Sequence, residues 1–336
     1  MREARSNAHT GASAMTESAL LAGGGGFIGL HLANELLRRG WKVNIVDDFS
    51  RGRMDSDLRE TIERGAILIE HDLRHPLDVG LVERPDLVVH LAAVLGVRNV
   101  SRSPEAVLRN NLLTLQNVLD WSLRIGAGAF VFSSTSEVAD GAVALGLASV
   151  PVSEDVPFVC PDLALPRASY AMSKAQGEML VRAVGDRHRL PVAIVRFFNV
   201  YGPRMGSAHV VPELIGRALS GSDSLEVYGT EPTRAFCFID DAVRGLLAVA
   251  SLADQRAPVV NVGNDLEELE IGALARKILD LVGSRADMIP HPAPAGSPQR
   301  RCPDLTRLRA LTGYEPEVAL EQGLERTIEH HAGALD

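Results

Sequence analysis

The sequence predicts an α/β fold: a doubly wound parallel sheet that carries a smaller C-terminal α/β lobe. Short apolar runs alternate with amphipathic helical segments, which is typical of parallel strands connected by helices. Most of these runs are apolar throughout, as expected for strands that are buried on both faces. A glycine-rich turn, AGGGGFIG, lies between the first apolar run and the first helical segment.

The predicted elements follow in order along the chain. The first strand, ALLAG, precedes a helix that we expect to reach Arg39, and further strands are predicted at KVNIVDD, AILIEHD, DLVVHLAA, AFVFSST and VAIVRFFNV. The amphipathic segments between them predict helices. Beyond about Asn199 prolines and glycines separate shorter elements. There we expect a buried strand at PVVNVG, a helix from Leu266 to Gly283 and a last helix from about Leu320.

This order suggests a leader, a main domain and a lobe. Residues 1–17 are small and polar and lack the apolar stretch of a signal peptide, so we predict a disordered leader there. Residues 18–196 and 235–263 are assigned to the main domain. The smaller lobe takes residues 197–234 and 264–330.

Composition restricts the classes of partner. The chain has 336 residues and a formal net charge of -9, which argues against nucleic acid and anionic membranes as partners. The run ALLAGGGGFIGLHLANELL is too often interrupted by polar residues and glycine to span a membrane. Cys160, Cys237 and Cys302 lack metal or redox spacing, so we predict no metal site and a reducing, cytoplasmic location.

The glycine-rich turn predicts a dinucleotide site. Gly23, Gly26 and Gly29 follow a strand and open a helix, where glycine lets the backbone approach a pyrophosphate. A tight strand–helix turn without a ligand is the alternative. Asp47 ends the next strand, about 20 residues on, where a carboxylate binds a ribose hydroxyl and favours NAD over NADP. Arg51 and the nearby Arg53 leave a 2′-phosphate as the other possibility.

A tyrosine and a lysine form a candidate catalytic pair. Tyr170 and Lys174 are four residues apart, and therefore on one face of a helix. A nearby ammonium and an oxidised nicotinamide both favour a phenolate. Lowering a tyrosine pKa from about 10 to about 7 takes on the order of 4 kcal/mol. The alternative is a solvated helix face.

Several motifs together resemble one family. The segments GGGGFIG, VDD, HLAA, SSTSEV, YAMSK, RFFNVYGPR and TRAFCFIDDAV are similar to those of extended short-chain dehydrogenases/reductases that act on nucleotide sugars. The resemblance covers about residues 18 to 330. It implies a Rossmann domain that holds NAD, a lobe that binds a UDP-sugar, and a homodimer formed by the helices that carry Asn111 and Tyr170.

The resemblance also implies roles for individual residues. Tyr170 would be the base for the sugar 4-hydroxyl, Thr135 its hydrogen-bond partner, and Lys174 the group that holds the nicotinamide ribose and tunes Tyr170. The residues implied to bind NAD are Gly23, Gly26, Phe27, Ile28, Gly29, Asp47, Asp72, Leu73, Leu91, Ala92, Ala93, Tyr170 and Lys174. Those implied to bind the sugar nucleotide are Arg98, Thr135, Ser136, Glu137, Asn199, Arg234 and Arg301.

The reaction that follows C4 oxidation differs within this family, and the motifs point in two directions. Thr135-Ser136-Glu137 resembles the Thr-Ser-Glu of UDP-glucuronate decarboxylases, and Ser136 replaces the aspartate of 4,6-dehydratases. Gly96-Val97-Arg98 resembles instead a motif of UDP-glucuronate 4-epimerases.

We therefore expect a 4-epimerase, with UDP-glucuronic acid as the substrate and UDP-galacturonic acid as the product. A UDP-glucuronate decarboxylase, or another UDP-hexose epimerase or dehydratase, is the alternative. A non-catalytic NAD(H)-sensing protein is the alternative from a different class. One departure stands out: Ala139 and Asp140 replace the Tyr-Gly pair usual in the family.

Overall fold

The computed structural model describes residues 16–254, 256–294 and 296–333, without the side chains of residues 97–99. The leader predicted at residues 1–17 lies outside the described residues, apart from residues 16 and 17. The strands of the described part of the chain are β1 (Ser18–Ala22), β2 (Lys42–Asp47), β3 (Ile67–Glu70), β4 (Leu87–His90), β5 (Ala129–Thr135), β6 (Val192–Phe197), β7 (Val200–Tyr201), β8 (Ser224–Tyr228), β9 (Thr233–Ala235), β10 (Cys237–Phe238), β11 (Val259–Val262), β12 (Glu268–Glu270), β13 (Asp287–His291) and β14 (Arg300–Arg301).

The helices connect these strands. They are α1 (Phe27–Arg38), α2 (Ser56–Glu63), α3 (Val97–Arg102), α4 (Pro104–Ile125), α5 (Asp140–Ala144), α6 (Ala168–His188), α7 (Val210–Leu219), α8 (Ile239–Ala250), α9 (Ile271–Val282), α10 (Thr306–Thr312) and α11 (Leu320–Gly333), with a 3₁₀ turn at Ser136–Ala139. None of the helices in the described part of the chain is both long and apolar enough to cross a membrane.

The central sheet confirms the predicted doubly wound fold. Its seven strands lie in the order β11-β6-β5-β4-β1-β2-β3, and every pair is parallel. The chain moves from β1 to one side through β2 and β3, and then returns to place β4 on the other side. A crevice opens at such a point beyond the carboxyl ends of the strands, and ligands of doubly wound folds bind there.

Apolar side chains bury the sheet on both faces. One cluster packs α1 and α8 against it through residues such as Leu32, Leu36 and Leu246. The other packs α4 and α6 against the opposite face around Trp121 and Phe132. The inner strands are mostly apolar because both of their faces are covered.

The smaller sheets lie in the C-terminal part of the chain. Strand β9 pairs with both β12 and β14, β8 pairs with β13, and β7 pairs with β10. The helix expected from Leu266 begins only at Ile271, because Glu268–Glu270 forms β12 against β9. The division of the chain into two domains stays a prediction.

Candidate active site

The glycine turn lies at the carboxyl end of β1, at the crevice. Gly23 has a φ of +82°, and a Cβ there would lie 2.6 Å from the backbone nitrogen of Ala92. A Cβ at Gly29 would lie 2.6 Å from the Cα of Gly24. Gly26 immediately precedes α1. The glycines thus allow the turn to pack closely against the loop after β4 and against α1, and the turn and the start of α1 line the crevice, which fits a pyrophosphate.

Asp47 connects the end of β2 to this turn. Its carboxylate accepts hydrogen bonds from the backbone N–H groups of Gly25 and Phe49, both at 2.9 Å. Burial raises the pKa of Asp47, and these two hydrogen bonds oppose that rise. Arg51 donates to the carbonyl of Ala93 at 3.1 Å, from the loop after β2 to the loop after β4. A carboxylate in this position fits an adenosine ribose.

One cleft of about 530 Å³ brings most of the predicted residues together. All thirteen residues predicted to bind NAD line it: Gly23, Gly26, Phe27, Ile28, Gly29, Asp47, Asp72, Leu73, Leu91, Ala92, Ala93, Tyr170 and Lys174. Of the residues predicted to bind the sugar nucleotide, five line it: Thr135, Ser136, Glu137, Asn199 and Arg301. Their individual roles stay predictions.

The hydroxyl groups of Tyr170 and Thr135 meet inside this cleft. Tyr170 lies in α6 and Thr135 ends β5, and their side chains share a hydrogen bond. Burial raises the pKa of Tyr170, and the carboxylate of Glu137 raises it further, whereas the hydrogen bond with Thr135 lowers it. In this state the tyrosine is therefore a phenol.

Lys174 lies one helical turn beyond Tyr170. Its Nζ donates to the carbonyl of Ser133 at 2.7 Å and lies 4.8 Å from the centroid of the Phe132 ring. Burial lowers the pKa of Lys174 to about 7, although the charge of Glu178 opposes this. The contact with β5 fixes the ammonium at the floor of the cleft.

Carboxylates and guanidinium groups alternate next to these hydroxyls. Oε1 of Glu137 lies 3.8 Å from Arg167 and 3.9 Å from Arg301. Asp140 accepts a hydrogen bond from Arg301 at 2.5 Å. Burial disfavours the charge on Arg301, but Asp140 and Glu137 outweigh it, so the pKa of Arg301 is raised.

Three predicted substrate residues need separate comment. The side chain of Arg98 lies outside the described residues, and its backbone belongs to α3. Arg234 is half-buried and donates to the backbone carbonyls of Thr233 and Pro298, and it is not among the residues that line the cleft. Asn199 lines the cleft, but its amide donates to the carbonyl of Ala235 at 2.9 Å.

Three charged residues in or near the site were not predicted from the sequence: Glu178, Arg204 and Arg167. Glu178, one turn beyond Lys174 on α6, is buried and accepts hydrogen bonds from Ser134 and Arg196. Its four-residue spacing from Lys174 was the available signal. Arg204 lay within the quoted motif RFFNVYGPR, but only the fold shows what it contacts. No sequence pattern indicated a role for Arg167, because it lies in an irregular loop. Among the described residues no group of three or more potential ligands could hold a metal ion.

Comparison with known proteins agrees with this geometry. Residues 19–263 match the model of the NAD dependent epimerase/dehydratase family. UDP-N-acetyl-alpha-D-glucosaminuronate decarboxylase from Bacillus cytotoxicus is 34% identical over 326 residues, which cover 94% of this chain and 98% of the relative. UDP-glucuronic acid decarboxylase 1 from Xenopus tropicalis is 35% identical and covers 94% of this chain, with 72% of its own length matched.

A solved structure extends the comparison. It is a mutant of UDP-glucuronic acid 4-epimerase from Bacillus cereus in complex with UDP-4-deoxy-4-fluoro-glucuronic acid and NAD. It is 27% identical to this chain with a TM-score of 0.82, and the match covers 94% of this chain and 99% of the epimerase. The chain therefore belongs to the NAD dependent epimerase/dehydratase family of extended short-chain dehydrogenases/reductases, and NAD is its cofactor.

Proposed function

We propose that this chain decarboxylates a UDP-linked hexuronic acid, with UDP-glucuronic acid or its 2-acetamido counterpart as the substrate. The sequence interpretation favoured 4-epimerisation and kept decarboxylation as the alternative. The two decarboxylases described above support the alternative at 34% and 35% identity. The 4-epimerase is a structural neighbour at 27% identity.

The position of Glu137 is the observation that carries this proposal. An epimerase needs proton transfer only at the 4-hydroxyl, for which Tyr170 and Thr135 are sufficient. A decarboxylase must also place a proton on C5 after carbon dioxide leaves. Glu137 lines the cleft close to Thr135 in the chain, and the charge of its carboxylate raises the pKa of Tyr170. A carboxyl group there can supply or relay the C5 proton.

The residues of the cleft divide the work of this reaction. Tyr170, with Thr135, removes the proton of the 4-hydroxyl, and Lys174 favours the phenolate. NAD bound in this cleft would supply reversible hydride transfer at C4. The resulting 4-keto sugar is a β-keto acid, so the bond from C5 to the carboxylate breaks and its electrons move to the C4 oxygen. Tyr170 and Thr135 then donate to this enolate oxygen, which stabilises it.

After carbon dioxide leaves, a proton is added at C5. Glu137 relays this proton from solvent to C5, and Tyr170 returns its proton to the C4 oxygen to restore the hydroxyl. Atoms balance, because the uronic acid becomes a pentose and carbon dioxide without net oxidation. Arg301 in the cleft and Arg167 beside Glu137 favour a substrate that carries both a diphosphate and a carboxylate, despite the net charge of -9 of the whole chain.

The test follows the carboxyl carbon. We would incubate the purified protein with UDP-glucuronic acid labelled with ¹³C at C6, and separately with the labelled 2-acetamido acid, and record ¹³C and proton NMR spectra. We expect the label in carbon dioxide and bicarbonate, with a UDP-pentose as the product. The Tyr170→Phe variant, which lacks the base, should release none.

Other outcomes would overturn the proposal. A product that keeps C6 and has an inverted C4 would establish the epimerase. If NAD stays bound but no labelled sugar reacts, the chain would be an NAD(H)-binding protein without this activity.

A further inference from the structure

Asp140 is one of the two residues, with Ala139, at which this chain departs from the pattern of the family it resembles. It is the first residue of α5 and directly follows the 3₁₀ turn that carries Ser136 and Glu137. Its Oδ2 accepts a hydrogen bond from Nη2 of Arg301 at 2.5 Å. The two residues are 161 positions apart, and Arg301 belongs to β14. A residue new to the pattern thus holds an arginine of the cleft.

Arg301 is held by only one edge of its guanidinium group. Its side chain is 11% exposed, and its Nε is buried without a hydrogen-bond partner among the described residues. Nη1 lies 3.9 Å from Glu137, too far for a hydrogen bond. A buried donor without a partner is unfavourable, because it has lost its hydrogen bonds to water. The unpaired edge is therefore suited to an anionic oxygen of a ligand.

The nearest alternative anion for Arg301 belongs to the chain itself. Asp140 and Glu137 are the two carboxylates that act most strongly on Arg301, with Asp140 the stronger. If Asp140 lost its charge, Glu137 would be the remaining partner within about 4 Å. A direct pair between Arg301 and Glu137 would engage both the arginine and the proposed proton donor, so neither would be free for the substrate.

We propose that Asp140 is a positioning residue that holds Arg301 away from Glu137, so that Arg301 binds an anionic oxygen of the substrate. This proposal rests on the proposed function only for the role of Glu137. The anionic oxygen has two possible sources, the diphosphate and the sugar carboxylate.

Binding measurements test the proposal without requiring turnover. We would titrate NAD-loaded protein with UDP, UDP-glucose and UDP-glucuronic acid by isothermal calorimetry. In Asp140→Asn, affinity for the ligands that contact Arg301 should fall about tenfold, as expected for one charge-assisted hydrogen bond. A loss for all three ligands assigns the oxygen to the diphosphate, and a loss for UDP-glucuronic acid alone assigns it to the carboxylate.

The double variant separates positioning from a general structural role. With Glu137→Gln in place, Arg301 has no competing anion, so adding Asp140→Asn should change affinity less than about threefold. A merely structural aspartate would lower affinity equally in both backgrounds, and that result would overturn the proposal. Unchanged or tighter binding in Asp140→Asn alone would overturn it too.

The chain offers a matched control and an independent readout. Asp155 accepts from Arg307 at the same 2.5 Å, on the surface and outside the cleft, so Asp155→Asn should leave all three affinities unchanged. If the protein proves to be an epimerase, these affinities still report on Asp140. Failure of the proposed function therefore remains distinguishable from failure of this inference.

Discussion

Tyr170 and Lys174 lie in surroundings that oppose the charges their proposed roles require. Burial raises the pKa of Tyr170 and lowers that of Lys174 to about 7. Glu137 adds to the rise at Tyr170, because a carboxylate disfavours a nearby phenolate. Arg51 and Arg301 favour the phenolate but do not outweigh burial, and the positive nicotinamide of the oxidised cofactor would add a further favourable charge. We infer that Tyr170 becomes an effective base only in the NAD-bound protein.

The shifted lysine leads to a prediction about stability. With a folded pKa of about 7 and an ordinary value of 10.5, Lys174 gives up its proton in the folded state before it does so in the unfolded state. Between these values the unfolded chain binds more protons, so stability should rise with pH by up to about 1.4 kcal/mol per unit. Lys174→Met removes this dependence.

Denaturant unfolding of the cofactor-free protein at pH 7, 8, 9 and 10 measures the effect. The free energy of unfolding of Lys174→Met minus that of the parent should decrease steadily as the pH rises. Lys277→Met is the control, because Lys277 is exposed, pairs with Glu321 and has a raised pKa. Its difference should stay flat over this range, and a flat curve for Lys174→Met would contradict the prediction.

At the scale of elements, the glycine turn and α1 depend on close backbone packing. A Cβ at Gly29 would meet the Cα of Gly24 at 2.6 Å and two carbonyl oxygens at 2.8 Å. None of these atoms is the end of a flexible side chain, so α1 would have to move away from the turn. The same movement would disturb the proposed pyrophosphate site.

Gly29→Ala should therefore weaken NAD binding by at least about tenfold and lower the free energy of unfolding by about 1–3 kcal/mol. Gly216, in α7, is the matched control, because a Cβ there meets no atom within 4 Å. Gly216→Ala should leave NAD affinity unchanged and stabilise the protein by about 0.5–1 kcal/mol. Calorimetric titration with NAD and denaturant unfolding measure both. Equal NAD affinities for the two variants would refute this account.

Local patterns predicted these elements well, and long-range contacts explain where they did not. The turn at Gly23 and the pair Tyr170 and Lys174 could be predicted because each depends on residues that are close in sequence. The start of α9 was misplaced because Glu268–Glu270 pairs with β9, more than thirty residues earlier. Periodicity within one segment does not report such pairing.

At the scale of the whole molecule, the candidate site depends on contacts between distant segments. Arg301 reaches Asp140, and Arg196 on β6 reaches Glu178 on α6, the helix that carries Tyr170. No sequence pattern predicted the partner of either arginine, because a guanidinium group can pair with any carboxylate that the fold brings near. The fold therefore determines which charged groups meet in the cleft.

Arg204 makes the same kind of connection on the cofactor side. It follows β7, and it donates to the carbonyls of Gly25 at 2.9 Å and Gly26 at 3.1 Å. It also donates to the carbonyl of Arg53 at 2.8 Å and to Asp55 at 2.7 Å. Its side chain is only 4% exposed. One buried guanidinium group thus holds the glycine turn and the loop before α2 together, on the cofactor side of the cleft.

Arg204→Met keeps most of the side-chain volume but removes all of these donors. The buried carbonyls and Asp55 would lose their partner, so the free energy of unfolding should fall by about 2–3 kcal/mol. NAD affinity should fall about tenfold, because the turn that positions the pyrophosphate is no longer held. Affinity for UDP in the presence of saturating NAD should change little. Arg256 is the control, because its side chain is 92% exposed, and Arg256→Met should alter none of these quantities. Lower stability with unchanged NAD affinity would show that Arg204 supports the fold alone and does not position the turn.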